Sequence, residues 1–270
     1  MKKKRLIPIL LLKNGHLVQS KNFESFRKLG NPKTSIQRFS EWSSDELIFL
    51  DISRDSSYDL NRDDLNFSNN KTMIDIISDI SKVVFMPITI GGKIKSIKNI
   101  EQFLLAGADK ISINTQAQIS PKLIRDASKE FGSQCIVNSI DVKKVNNQYE
   151  IFHSCGKKKS EYRLIDWLHI IEDNGVGEVL VNSIDNDGAG NGFDIKLAEI
   201  VKKNINIPII FCGGAGDYND FYELVKKTDI DAVAAANFFQ FQEQSTYLTK
   251  KFLYERKLNF RKPGILNLKF

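Results

Sequence analysis

Two aspartates at the ends of short apolar runs are the first residues to suggest proton chemistry. Asp51 closes Leu47-Ile48-Phe49-Leu50, and Asp141 closes Cys135-Ile136-Val137-Asn138-Ser139-Ile140. A carboxyl carried out of an apolar run is partly desolvated, which raises its pKa and suits it to giving and taking protons. An aspartate at a strand end can also cap the next helix or brace a loop, and both uses stay open here. Small and polar pairs recur along the chain: Gly91-Gly92, Asn114-Thr115, Asp187-Gly188, Gly213-Gly214 and Ala236-Asn237. Glycines between a strand and a helix let backbone N–H groups approach an anion, and the positive end of the helix dipole adds to the attraction. Two such clusters in related positions point to two phosphates held at opposite sides of one mouth. Tight turns are the other use of such glycines.

The elements that would position these residues alternate regularly. Short β-branched runs fall near Leu6–Leu12, Leu47–Ile52, Pro87–Ile90, Lys110–Ile113, Gln134–Ile140, Glu178–Asn182, Pro208–Phe211 and Asp231–Ala235. Amphipathic stretches follow each, over about 31–42, 70–83, 96–106, 121–130, 162–174, 193–204, 217–227 and 241–256. Eight strands, each followed by a helix, predict an α/β chain folded as a closed (βα)8 TIM barrel. A doubly wound open sheet needs a Gly-rich turn after the first strand; instead Lys13-Asn14-Gly15 reads as a turn leaving it. In such a barrel the chemistry belongs at the C-terminal ends of the strands, where the pairs above fall.

The two halves resemble each other. Pro87-Ile88-Thr89-Ile90-Gly91-Gly92 matches Pro208-Ile209-Ile210-Phe211-Cys212-Gly213-Gly214, and Leu10–Lys13 aligns with Ile140–Lys143. The repeat predicts one domain over 1–270, made of half-barrels over about 1–130 and 131–255 with a tail over 256–270. One insertion stands out: 53–70 is polar and aperiodic, and is expected to form a long loop on the catalytic face.

Composition narrows the class. The longest apolar run near the start, Leu6 to Leu12, is too short for a membrane span, and no small-residue cleavage site follows it as a secretory signal requires. Three cysteines without metal spacing suit reduced thiols in the cytoplasm. The net charge of +6 comes from lysines scattered among acids, a solvated surface rather than a nucleic-acid footprint. No metal cluster or dinucleotide fingerprint is present, so no cofactor is expected.

Taken together, DELIFLDI (45–52), ADKISINT (108–115), FGSQCIVNSIDVKKV (131–145), GVGEVLVNSIDNDG (175–188) and IPIIFCGGAG (207–216) resemble the HisF family, the cyclase subunit of imidazole glycerol phosphate synthase, over about residues 4 to 255. The resemblance implies that a partner glutaminase (HisH-like) makes ammonia. The ammonia crosses the barrel and meets a doubly phosphorylated ribonucleotide, which lyase and ring-closing steps convert to an imidazole and an aminoimidazole nucleotide. Position by position, it implies phosphate contacts at Asn114, Thr115, Asp187, Gly188, Gly214, Ala236 and Asn237, with Gly92, Lys93 and Gly213 in the same loops. It also implies a charged ammonia gate of Arg5, Glu46, Lys110 and Glu178, and a partner-facing Asp109.

The mouth departs from the family pattern. Of its two catalytic aspartates Asp141 is kept, but Leu11 stands at the other position; the family lysine after it falls on Gln19, with Lys21 nearby, and Lys93 stands where the first phosphate loop has a glycine. The Leu10-Leu11-Leu12-Lys13 strand resembles a HisF paralogue group tied to acetamidino-sugar modification of surface polysaccharides. In that reading the barrel supplies ammonia to a third, amidotransferase-like protein acting on a nucleotide sugar. That specialised role is the leading expectation. The alternatives are an ordinary histidine-pathway cyclase using Asp141 alone or with Asp51, and a non-catalytic ammonia conduit that activates the glutaminase.

Overall fold

A computed structural model describes residues 2–265 apart from 31, 55–57, 59–71 and 83. Most of the polar insertion expected over 53–70, and the tail beyond 265, therefore lie outside the described residues. In chain order the elements are β1 (Arg5–Lys13), β2 (His16–Lys21), β3 (Ser25–Gly30), α1 (Pro32–Glu41), β4 (Leu47–Asp51), α2 (Met73–Ile80), β5 (Ile88–Gly91), α3 (Ile97–Leu105) and β6 (Lys110–Ile113). The chain continues through α4 (Thr115–Ile119), α5 (Pro121–Phe131), β7 (Ile136–Val145), β8 (Gln148–His153), β9 (Lys158–Arg163), α6 (Leu164–Asp173) and β10 (Glu178–Ser183). It ends with α7 (Ile195–Asn204), β11 (Ile209–Cys212), α8 (Tyr218–Thr228), β12 (Ala232–Ala235) and α9 (Ser245–Glu255).

Eight of the strands form the barrel, each parallel to its neighbours in the order β1-β4-β5-β6-β7-β10-β11-β12. The ring closes where β12 pairs with β1. Alternation along each strand sorts side chains between two cores. Ile7, Ile9, Ile48, Val137, Leu180 and Ile210 fill the lumen, whereas Leu6, Leu10, Leu47, Phe49, Ile111 and Val179 pack outward beneath the helices. The helices start where local chemistry allows: Thr72 and Asp217 each close a capping box, with Asp75 and Asp220 as their partners. Between β7 and α6, Trp167 is fully buried and donates Nε1–H to Asn138 Oδ1 at 3.0 Å. Asn138 Nδ2 in turn donates to the Ile113 carbonyl at 2.9 Å, so a buried amide ties two strands to a helix.

Two hairpins were not among the elements read from sequence. β2 and β3 extend β1 antiparallel, and β8 and β9 extend β7 in the same manner. The turn expected at Asn14-Gly15 is present, both residues having positive φ, and Asn146-Asn147 makes the corresponding turn at the end of β7. The strand expected over Gln134–Ile140 is thereby lengthened to Val145. The first hairpin occupies residues read as the connection before the first helix, and the second fills the stretch between the fifth strand and its helix. Among the described residues, no helix is long and apolar enough to cross a membrane.

Candidate active site

A cavity of about 320 Å³ opens at the C-terminal ends of the barrel strands. Asp51, Gly92, Lys93, Asn114, Thr115, Asp141, Asp187 and Ala236 line it, so residues from both halves of the chain meet in one space. Gly188, Gly213, Gly214 and Asn237 do not line it. Their glycines answer to backbone packing: a Cβ on Gly214 would lie 2.1 Å from the Gly192 carbonyl, and one on Gly213 2.6 Å from that of Ser183. The same holds for Gly92, where a Cβ would stand 2.1 Å from the Asp51 carbonyl.

The two aspartates fare differently. Asp141 is buried on β7 and accepts one hydrogen bond, from Asn114 Nδ2 at 2.7 Å. Burial pushes its carboxyl up to about 7, helped by the charge of Asp187 and opposed by the Asn114 bond. A carboxyl poised near neutrality and facing a cavity can both give and take a proton. Asp51 is equally buried, but its oxygens are fully engaged. Oδ1 accepts from the Ser53 backbone N–H and hydroxyl, while Oδ2 accepts from Tyr58 Oη at 3.0 Å and pairs with Lys93 Nζ at 3.1 Å. This arrangement suits bracing better than proton transfer, the structural use left open from sequence. Leu11 packs with the lumen residues and lines the cavity without any protonatable group.

The two hairpins roof the mouth. Asp187 Oδ2 accepts from Ser20 Oγ at 2.6 Å and from the Phe23 N–H at 3.3 Å, while Asn237 Nδ2 donates to the Ser20 carbonyl at 2.6 Å. On the other side, Thr115 Oγ1 accepts from the Ser154 N–H at 3.1 Å. Three side chains expected at phosphates thus hold the β2–β3 and β8–β9 hairpins. The tips of the hairpins meet, Phe23 lying against Gly156. Ser20, Phe23, Phe26, Tyr58, Cys155 and Asn182 escaped the sequence reading of the site; the apolar alternation of 16–20 and 149–153 beside Asn-rich turns was the available signal for the hairpin residues. The Cys155 thiol is pushed up by burial and by Asp141 and Asp51, so it is not an activated nucleophile.

At the opposite end of the lumen the expected charged residues form a closed ring. Arg5 pairs with Glu46 at 2.7 Å and with Glu178, and Lys110 pairs with Glu46 at 2.9 Å and with Glu178 at 3.0 Å. Burial works to lower the Arg5 pKa and to raise that of Glu46. The opposite charges outweigh it in both, so Arg5 is raised and Glu46 lowered. Asp109 is exposed on the same face and accepts from the Ile88 N–H at 2.8 Å. Among the described residues no group of three His, Cys, Asp or Glu is placed to hold a metal.

A (βα)8 barrel with a buried carboxyl facing a cavity at one mouth and a charged ring at the other defines the class. The family described as "Histidine biosynthesis protein" matches residues 5–245. Imidazole glycerol phosphate synthase subunit HisF of Natranaerobius thermophilus is 38% identical over 258 residues, covering 96% of this chain and 98% of that protein. The HisF of Prochlorococcus marinus is also 38% identical, over 95% of this chain and 97% of its own, and that of Flavobacterium psychrophilum is 40% identical over 89% and 91%. The chain belongs to the HisF family of histidine biosynthesis proteins. These similarities favour the histidine-pathway subunit and lend no separate support to the sugar-amidation branch expected from the first strand.

Proposed function

We propose that this chain is the cyclase subunit of an imidazole glycerol phosphate synthase, receiving ammonia from a glutaminase partner and using it at the roofed mouth. One observation carries the reading: the charged ring and the Asp141 cavity sit at the two ends of one lumen. The ring blocks water and ions, and opening it requires only that a partly exposed cation, Arg5 or Lys110, swing out. Above it the lumen is apolar on the β1, β4, β11 and β12 side, which rejects ammonium but not ammonia. The other side carries buried hydroxyls and an amide. Among the described residues, Thr89 Oγ1 and Asn182 Oδ1 have no hydrogen-bond partner, so a small neutral donor can rest on them.

At the mouth, Asp141 moves the proton, Asn114 orients its carboxyl, and Lys93 supplies positive charge beside Asp51. The substrate is the doubly phosphorylated ribonucleotide, with one phosphate at the Gly92–Lys93 and Asn114–Thr115 end of the cavity and the other at the end lined by Asp187 and Ala236. Asp109 and the exposed Phe85 and Leu105 lie on the ring's face or at its rim and suit a docked glutaminase. A second reading, a barrel that hands ammonia to a third amidotransferase-like protein for acetamidino-sugar synthesis, rests on Leu11 taking the place of a second free carboxyl. A pure conduit would dispense with Asp141.

The test is turnover of the ribonucleotide with ammonium salt, by the wild type beside Leu11→Asp and Asp141→Asn. Turnover that Asp141→Asn abolishes supports the cyclase. A silent wild type that Leu11→Asp partly rescues would overturn it in favour of the specialised barrel.

A further inference from the structure

The charge lining the mouth is uneven. Among the described residues, three carboxyl groups face the cavity, those of Asp51, Asp141 and Asp187, while both of its cations, Lys93 and Lys95, follow β5 at one end. Lys93 also breaks the internal repeat, for Gly91-Gly92-Lys93 corresponds to Gly213-Gly214-Ala215 in the other half. Its backbone is strained: a φ of 58° lies in the left-handed region that glycine fills freely and lysine does not. Two residues hold its side chain. Nζ pairs with Asp51 Oδ2 at 3.1 Å and stands 5.7 Å from the centre of the Tyr58 ring. Asp51 does not depend on this cation to satisfy its oxygens. Tyr58 Oη donates to the same Oδ2 at 3.0 Å, and the N–H and hydroxyl of Ser53 both donate to Oδ1. The members of the ion pair also differ in access, the Asp51 side chain being 2% exposed and that of Lys93 29%. A strained lysine whose acid is served by three other donors, and whose ammonium opens on a cavity, is placed to be reached by an anion.

We propose that Lys93 is the specificity-determining cation of this mouth, stored on Asp51 and Tyr58 and transferred to a phosphate of the substrate as it binds. The inference rests on the phosphorylated substrate read above. The lysine stem is flexible and its ammonium carries three donors, so rotation about the side chain suffices. Tyr58 and Ser53 keep Asp51 hydrogen-bonded once the ammonium has turned away, so the exchange strands no buried carboxylate. A phosphate dianion offers the lysine more charge than a carboxylate already shared among four donors. At the opposite end, where Ala215 stands in the repeat, no cation lines the cavity among the described residues, so the two phosphates are gripped unequally.

The experiment measures KM and kcat for the doubly phosphorylated ribonucleotide with ammonium salt, and calorimetric binding of inorganic phosphate, on the full chain. Wild type is compared with Lys93→Gly, Lys93→Arg and Tyr58→Phe. Glycine suits the backbone at position 93, so Lys93→Gly is expected to stay folded, which thermal unfolding checks. The expected result is that Lys93→Gly raises KM for the ribonucleotide and Kd for phosphate about tenfold or more, with kcat kept within about threefold, and that Lys93→Arg recovers most of the loss. Tyr58→Phe removes the competing donor at Asp51 Oδ2, holds the lysine more firmly and raises both constants by a smaller factor, with no further effect when combined with Lys93→Gly. An unchanged KM in Lys93→Gly, or a fall in kcat alone, would overturn the proposal, the lysine then serving only Asp51. A lowered KM would do the same, since the lysine would be an obstruction. An effect of Tyr58→Phe that is as large without Lys93 as with it would overturn the storage on Asp51. If the wild type did not turn over the ribonucleotide, the cyclase reading would fall and phosphate alone would decide the lysine: binding weakened in Lys93→Gly supports it, and equal or absent binding overturns it.

Discussion

At the scale of single residues, the proposed chemistry at this mouth turns on Asp141. Its carboxyl is held up to about 7 chiefly by burial. Asp141→Asn keeps the size and an acceptor for Asn114 but removes the proton, so cyclase turnover is expected to fall about 10²- to 10⁴-fold. The limb of the pH–rate profile near 7 should disappear with it. The stability sign is opposite to that of a salt-bridged carboxylate. Because the folded pKa lies above the unfolded one, the folded chain binds the extra proton between about pH 4 and 7, and stability falls as pH rises through that window. Asp141→Asn is therefore expected to be more stable than wild type at pH 8, by at most about 4 kcal/mol, and to lose that advantage below pH 4. Denaturant unfolding at the two pH values checks it. Leu11 was legible as a departure in the sequence. The engagement of Asp51 by Ser53, Tyr58 and Lys93 was not, since it depends on side chains that meet only when the strand ends converge.

The elements show which local signals were sufficient. The eight barrel strands and their helices follow from apolar period and capping chemistry, both short-range properties. The hairpins after β1 and β7 were missed because each continues a barrel strand without a break in apolar character: the turn at Asn14-Gly15 looked like a strand exit, and the stretch between Ile140 and the next helix was assigned to no strand. Their consequence is functional: Ser20 and Ser154 place the hairpins on Asp187, Asn237 and Thr115. Asn237→Ala removes one of the two anchors of Ser20, leaving the Asp187 bond, and its effect should appear as faster hydrogen exchange over residues 16–30 with exchange over 148–163 unchanged. At the junction of β7 with α6, Trp167→Phe leaves Asn138 Oδ1 buried without its donor. A loss of about 1–3 kcal/mol is expected in thermal or denaturant unfolding, beyond what the change in ring size costs.

For the molecule as a whole, closure of the barrel concentrates charge that the sequence disperses. Arg5, Glu46, Lys110 and Glu178 come from four strands or strand starts and form a ring only because those strands are brought round one axis. The Glu46 carboxyl is held below its usual range despite burial, so its pairing stabilises the fold at neutral pH and is lost as pH falls through the lowered pKa. Glu46→Gln is expected to flatten the acid limb of the stability curve. A second buried pair, Lys250 with Asp45 at 2.7 Å, clasps α9 against the start of β4, both side chains being 3% exposed. Removing one partner, as in Lys250→Met, leaves a buried carboxylate unmatched and is expected to cost about 3–5 kcal/mol in unfolding free energy.

The sequence by itself determined the fold class and that Asp141 leaves an apolar run; the resemblance to the HisF family implied the membership of the charged ring. The first two rest on an apolar period that local geometry converts directly into position, although Asp141 falls within β7 rather than at its end. Tertiary structure alone decided the use of the glycines, most of which answer to a neighbouring carbonyl rather than to an open anion site. It also decided the pairing of Asp51 with Lys93 and the roof made by the two hairpins. These are contacts between residues far apart in the chain, and their energies depend on desolvation and distance, which exist only once the barrel has closed.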